Sequence, residues 1–200
     1  MADVSIGSLF SGIGGLELGL ERAGLGPVKW QAECAEYPRR VLQKHWPEVH
    51  RYGRVEDVDA NADAVGVVCG GFPCQDISQA GRKAGLSGER SGLWREFRRV
   101  VAELRPRWVV IENNGHRWRA WVPAVRRALH GLWFASLCLR VRASELGAWH
   151  RRSRAFVVAN SDGVLVREQS RGRTRAHWEA ALLAARARAP WAPADPHEAR

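Results

Sequence analysis

Cys74, Glu112 and the pair Arg152 and Arg154 follow one another at intervals of about 40 residues, and each type has a distinct chemical use. A thiolate adds to an electron-poor ring, a carboxyl protonates a ring nitrogen, and guanidinium groups hold the negative charge that develops. The combination points to nucleophilic addition to such a ring, followed by attack of the ring on an electrophile. A free thiol with a pKa of about 8.5 is only a few per cent thiolate at about pH 7. A neighbouring arginine and a turn leading into a helix would lower that value.

The elements around Cys74 are built to present it. Val65-Gly66-Val67-Val68-Cys69 is a short valine-rich run that reads as a buried strand, and Gly70-Gly71 ends it. Pro73 fixes its own φ and biases Phe72 toward an extended backbone. Cys74 is thereby delivered at a strand end, beside Gln75 and Asp76, where open α/β sheets keep their chemistry. Cys69 lies inside the apolar run and reads as a packing thiol.

The rest of the chain alternates strands and helices. Val4–Phe10 reads as a first strand and Ser11-Gly12-Ile13-Gly14-Gly15 as a glycine turn. A helix carrying Leu16, Leu18, Leu20 and Ala23 follows and ends at Gly24. Strand, glycine turn and helix bring backbone amides and a positive helix end to a ligand. The G-x-G-G spacing departs from the dinucleotide fingerprint and disfavours a nicotinamide cofactor. A second strand, Val28–Ala32, ends at Glu33, which is placed to accept hydrogen bonds from ribose hydroxyls. Pro38 sits where a helix can start, with Arg39–Trp46 continuing it.

Asp57 and Val58 precede the polar link to the central strand. After Cys74, the glycine-spaced basic segment Ser78–Gly92, with Arg82, Lys83 and Arg90, reads as a mobile loop. Leu93, Trp94, Phe97, Val100, Val101 and Leu104 share one helical face, and Pro106 stops that helix. Trp108–Ile111 is a strand with Glu112-Asn113-Asn114 at its end. Trp118, Trp121, Val122, Val125 and Leu129 form another helical stripe. Strands over Leu132–Val141 and Ala155–Ala159 complete a doubly wound α/β sheet.

Residues 1–160 read as one domain. Residues 161–200 read as a basic, partly disordered tail with a helix near 176–189. No apolar run approaches a membrane span, and no signal segment opens the chain. Four cysteines at irregular spacing form neither a zinc pattern nor a disulfide framework, which suits a reducing cytoplasmic setting. The histidines show no ligand spacing, and no metal is assigned.

The 200 residues carry a net charge of +10. Residues 1–81 hold 7 Lys and Arg against 11 Asp and Glu, and residues 82–200 hold 24 against 10. An acidic first part and a basic remainder fit either a cofactor-binding half feeding a polyanion surface or a solvated arginine-rich face. Most of the ten tryptophans sit on helical stripes or strand ends and read as core. Trp149 is the exception, because it precedes the arginine pair.

Phe10-Ser11-Gly12-Ile13-Gly14-Gly15, Gly70-Gly71-Phe72-Pro73-Cys74-Gln75, Glu112-Asn113 and His150-Arg151-Arg152-Ser153-Arg154 occur in this order. The chain resembles the catalytic domain of the DNA (cytosine-5)-methyltransferases over roughly residues 4–160. The resemblance implies a Rossmann-like sheet that binds S-adenosylmethionine. Phe10, Gly12 and Gly14 match the motif that holds the cofactor, and Glu33 matches the ribose ligand. Asp57 and Val58 match the adenine-contacting pair, and Pro73 and Leu93 belong to the same pocket. Cys74 matches the nucleophile that adds to C6 of an extruded cytosine. Glu112 matches the group that binds N3 and the exocyclic amine, Arg152 is similar to the arginine that helps hold the base and the nucleophile, and Arg154 is counted with it in the catalytic set. Ser78, Arg82, Lys83 and Arg90 fall in the segment that closes on DNA.

Three departures stand out. Asn114 replaces an apolar residue beside the acid, and His150 replaces the usual glutamine, as in a subgroup of the family. Nothing over 161–200 matches the target-recognition region or the last cofactor motif, which leaves room for a second polypeptide supplying recognition. A DNA methyltransferase of bacterial or phage origin, a truncated inactive homologue acting as a DNA-binding or regulatory subunit, and a methyltransferase of a free cytosine nucleotide all remain compatible with the residues.

Overall fold

Ile6–Leu9 (β1) and Val67–Gly70 (β4) are buried along their whole length, as central parallel strands covered on both faces must be. The computed structural model describes residues 4–73 and 92–162. The other elements are α1 (Gly15–Arg22), β2 (Val28–Ala32), α2 (Glu36–His45), β3 (His50–Tyr52), α3 (Gly92–Leu104), β5 (Trp108–Asn114), α4 (Trp118–His130), β6 (Ala135–Arg142) and β7 (Ser153–Asn160). Short 3-10 turns occupy Val55–Asp57 and Ala143–Leu146.

The seven strands form one sheet in the order β3-β2-β1-β4-β5-β7-β6. Strands β1 to β5 pair in parallel, whereas β7 runs antiparallel between β5 and β6. The order reverses between β1 and β4, so the crevice above their carboxyl ends is the topological switch point. Alternating side chains feed two cores. Val67 and Cys69 face Leu16 and Leu20 of α1, while Val68 faces the opposite core with Phe97 of α3 and Trp121 of α4. Helices thus cover both faces, as the strand–helix alternation predicts.

Boundaries differ from the sequence reading where pairing or helix ends decide them. Helix α2 begins at Glu36, two residues before Pro38, because first-turn N–H groups have no intrahelical acceptor and proline costs nothing there. Strand β5 continues through Glu112, Asn113 and Asn114 because β7 supplies them with partners. Trp133 lies outside the core: β6 starts only at Ala135, and a left-handed turn (φ 68°) leaves the indole 89% exposed. Among the described residues no helix is long and apolar enough to cross a membrane.

Candidate functional site

The glycine turn after β1 supplies the first wall. Phe10 adopts φ 55°, an uncommon conformation for a bulky residue that marks local strain. Its ring stacks on Phe97 with centroids 6.5 Å apart. Gly14 caps α1 at φ 85°, and a Cβ there would meet the Trp46 ring at 2.3 Å. Both the backbone angle and the space demand glycine.

Glu33, at the end of β2, ties this turn to its neighbour. One carboxylate oxygen accepts the Gly12 N–H and the other accepts the Ala35 N–H, each at 2.8 Å. Arg39 donates to the carbonyls of Glu33 (3.0 Å) and Tyr52 (2.9 Å), which fixes the backbone under the acid. These turns enclose a cavity of about 350 Å³, with Phe10, Glu33, Pro73 and Leu93 in its wall. The remaining wall includes Arg54, Val55 and Glu56. Asp57 and Val58 stand beside that stretch with other partners. The Asp57 carboxylate accepts the Arg54 N–H at 2.9 Å, and the Val58 side chain is fully buried in the core. Arg99 of α3 donates to the Val58 carbonyl (2.8 Å) and locks this turn to the helix that carries Leu93.

Glu112 forms the second centre. It lies opposite Phe156 of β7, which makes Arg154 its diagonal neighbour on the same face. The Arg154 guanidinium pairs with its carboxylate. Burial pushes the Glu112 carboxyl above its ordinary value, and the positive charge of Arg152 pulls it partly back. Arg152 itself is exposed, its N–H donating to Nδ1 of His150 at 3.4 Å. The other side of Glu112 is bounded by Gly71, where a Cβ would sit 2.8 Å from Oε2.

Asn113 was given no role from sequence, yet its Nδ2 donates to the Phe72 carbonyl at 2.8 Å and stitches β5 to the turn at Pro73. The alternating burial of β5 puts Asn113 on the inward face, and a polar residue there must find a partner. That rule was the available signal. The structure thus brings Phe10, Glu33, Pro73 and Leu93 to one cavity. It gathers Glu112, Arg154 and the charge of Arg152 beside Gly71, which also lines that cavity. Cys74, Ser78, Arg82, Lys83 and Arg90 lie outside the described residues, as do 163–200 and the helix expected near 176–189. Cys69 is fully buried, with its thiol pushed well above its ordinary pKa by burial.

Comparisons with known proteins bear directly on this arrangement. The model of the C-5 cytosine-specific DNA methylase family matches residues 4–171. Type II methyltransferase M2.BsuMI of Bacillus subtilis is 39% identical over 110 residues, which is 53% of this chain and 28% of the relative. Type II methyltransferase M.Eco47II of Escherichia coli is 41% identical over 108 residues, covering 52% of this chain and 26% of the relative. The chain thus spans under a third of these relatives' length. A crystal structure titled as a DNA modification methyltransferase encoded within a prophage (E. coli) superposes with a TM-score of 0.63 at 27% identity, over 78% of this chain and 46% of the other. A mutant of Spodoptera frugiperda DNMT2 shares the fold, with a TM-score of 0.67 at 18% identity over 80% of this chain and 51% of the other. With its family model matched from the first described strand to beyond the last, the chain belongs to the C-5 cytosine-specific DNA methylases.

Proposed function

We propose that this chain transfers a methyl group from S-adenosylmethionine to C5 of cytosine in DNA, through a transient bond between Cys74 and C6 of an extruded base. The observation that carries the reading is Glu112: a half-buried acid with a raised pKa, held between Gly71 and Arg154 at the carboxyl ends of β4 and β5.

The cavity suits the cofactor. Its volume falls in the range of small-molecule sites, and Phe10, Val55 and Leu93 offer apolar surface for a ring. Both Glu33 oxygens already accept a backbone N–H, yet each keeps a further lone pair for a ribose hydroxyl. Asp57 stands exposed beside the Val55 wall and is the candidate for the adenine edge, while Val58, fully buried, backs that wall from the core. When bound, the sulfonium supplies an electrophilic methyl group.

The chain's own residues supply the rest. As the Cys74 thiolate adds to C6, electron density moves toward N3, where the Glu112 carboxyl delivers a proton. C5 becomes nucleophilic and takes the methyl group. Loss of the C5 proton to water then expels Cys74 as the thiolate, and return of the N3 proton to the Glu112 carboxylate restores the ring and the acid. Arg152 and Arg154 orient Glu112 and hold the base. A base within a duplex is closed to attack from above and below, so it must leave the stack. Ser78, Arg82, Lys83 and Arg90 are assigned to the phosphates around it. Because the curated relatives are far longer than the matched segment, target recognition is assigned to polypeptide outside that segment, in this protein or in a second chain.

DNA carrying 5-fluorocytosine at candidate targets tests the reading. Fluorine at C5 blocks the final elimination, so a covalent protein–DNA adduct should accumulate, require S-adenosylmethionine and vanish in Cys74→Ser. No adduct across a randomised target library, with cofactor bound and candidate partner chains supplied, would overturn it.

A further inference from the structure

Trp149 is 95% exposed, more than any other large apolar side chain among the described residues. The ring that meets it is His150, edge-on at 5.3 Å. It is not carried on a loose strand of chain. The Ala143 N–H donates to the Arg152 carbonyl (2.8 Å) and the Ala148 N–H to the Ala143 carbonyl (3.0 Å), so the connection from the 3-10 turn to β7 is closed on itself. Gly147, at φ 94°, makes the bend.

Register fixes the end of the molecule on which the indole stands. Arg154 lies opposite Asn114, the last residue of β5, and Arg142 opposite Ser153, the first of β7. Trp149 therefore lies above the carboxyl ends of the parallel strands, on the side of Glu112 and Gly71. That rim is cationic. Arg117 and Arg119, at the start of α4, and Arg151 are exposed and make no ion pair among the described residues.

A lone exposed apolar side chain is ordinary on a protein surface, and Trp133 shows what the ordinary case looks like here. It is nearly as exposed, but Ala135 lies opposite Asn160, which in turn faces Trp108, the first residue of β5. Trp133 thus occupies the amino end of the sheet, away from the site, and the nearby Arg107 is already paired with Asp162 at 2.7 Å. Arg119 lies over the Trp118 ring, 4.9 Å from its centroid, and a flat aromatic on the same edge as guanidinium groups that make no ion pair fits a polyanion that also offers aromatic faces, which is the chemistry of a nucleic acid.

We propose that Trp149 is a stacking platform for a nucleobase of the bound DNA, with Arg117, Arg119 and Arg151 on the adjoining phosphates. The inference rests on the reading of this chain as acting on DNA and adds the residue that meets the bases. The test is fluorescence anisotropy with the full 200-residue chain, titrated into a labelled DNA duplex with an unpaired cytosine and, separately, into labelled heparin, which has charge but no bases. Trp149→Ala should weaken DNA binding about tenfold, Trp149→Phe should keep most of the affinity, and Trp133→Ala should bind as wild type. Heparin binding should be unchanged in all three. S-adenosylmethionine affinity, measured in parallel, should also be unchanged, which separates the effect from misfolding. Wild-type DNA affinity in Trp149→Ala, or equal losses on DNA and heparin, would overturn the stacking role alone. A wild-type chain that binds heparin but no DNA would remove the DNA reading and this inference together.

Discussion

At the scale of single residues, two carboxyls matter and they are held differently. Glu112 is half-buried with Arg154 beside it, and burial raises its pKa against the charge of Arg152. A raised folded-state value keeps the acid protonated to higher pH than an unfolded glutamate. Its contribution to stability is therefore complete below the ordinary carboxylate range and is lost as pH rises through the folded value. Arg152→Gln removes the opposing charge, so the Glu112 titration, followed by its carboxyl 13C shift, should move to higher pH. An unchanged titration would show that Arg152 does not reach it. Glu112→Gln should slow methyl transfer by about a hundredfold or more with cofactor affinity intact.

Glu17 is buried more deeply, being 1% exposed, and among the described residues it has no cation beside it. Burial raises its pKa, opposed by the Ser8 and Ser11 hydroxyls nearby. The wild-type chain should accordingly lose stability as pH rises through and above the carboxylate range. In urea unfolding, Glu17→Gln should flatten that slope, and an unchanged slope would refute the assignment. Nothing in the sequence singled out Glu17. Leu16, Leu18 and Leu20 look like one apolar run, but a period of two cannot share one helical face. Leu18 consequently points outward, 41% exposed, while Glu17 turns in.

At the scale of elements, two adjacent glycines at the end of β4 serve different purposes, Gly70 against β1 and Gly71 against Glu112 of β5. A Cβ on Gly70 would lie 2.2 Å from the Leu9 carbonyl oxygen, which is backbone of the paired strand β1. A Cβ on Gly71 would lie 2.8 Å from Oε2 of Glu112, the far end of a movable side chain. Gly70→Ala must push strands apart and should cost about 1–3 kcal/mol or more in unfolding free energy. Gly71→Ala should leave stability within about 1 kcal/mol while displacing the acid, so transfer should fall at least tenfold with little change in melting temperature. Equal stability losses in the two variants would contradict this division. The glycine pair was legible as a strand end, and Val28–Ala32 was legible to the residue, because both carry strong local signals. Strand β3 was not, since His50-Arg51-Tyr52 has no apolar pattern and exists through its pairing with β2. The antiparallel insertion of β7 between β5 and β6 is likewise a matter of tertiary pairing, which no local periodicity records.

At the scale of the whole molecule, the sheet has a chemical end and a plain end, and charge distinguishes them. The helices that follow parallel strands start at the carboxyl edge and run back, so α4 presents Arg117 and Arg119 beside the site, while α1 carries Arg22 to the far edge. The net charge of +10 alone could not separate a DNA surface from a solvated arginine face. Placement can, because a cation that rests on a phosphate releases a counterion and one that merely faces water does not. With DNA affinity measured from about 50 to 200 mM salt, log K should fall linearly with log salt. Arg117→Ala and Arg119→Ala should each lessen that slope by about one, with a roughly uniform loss across DNA sequences. Arg22→Ala, also at an exposed residue but at the opposite edge, should leave the slope alone. Equal effects from all three would mean that the whole surface acts as a diffuse cation, and that the carboxyl edge holds no privileged contact with DNA.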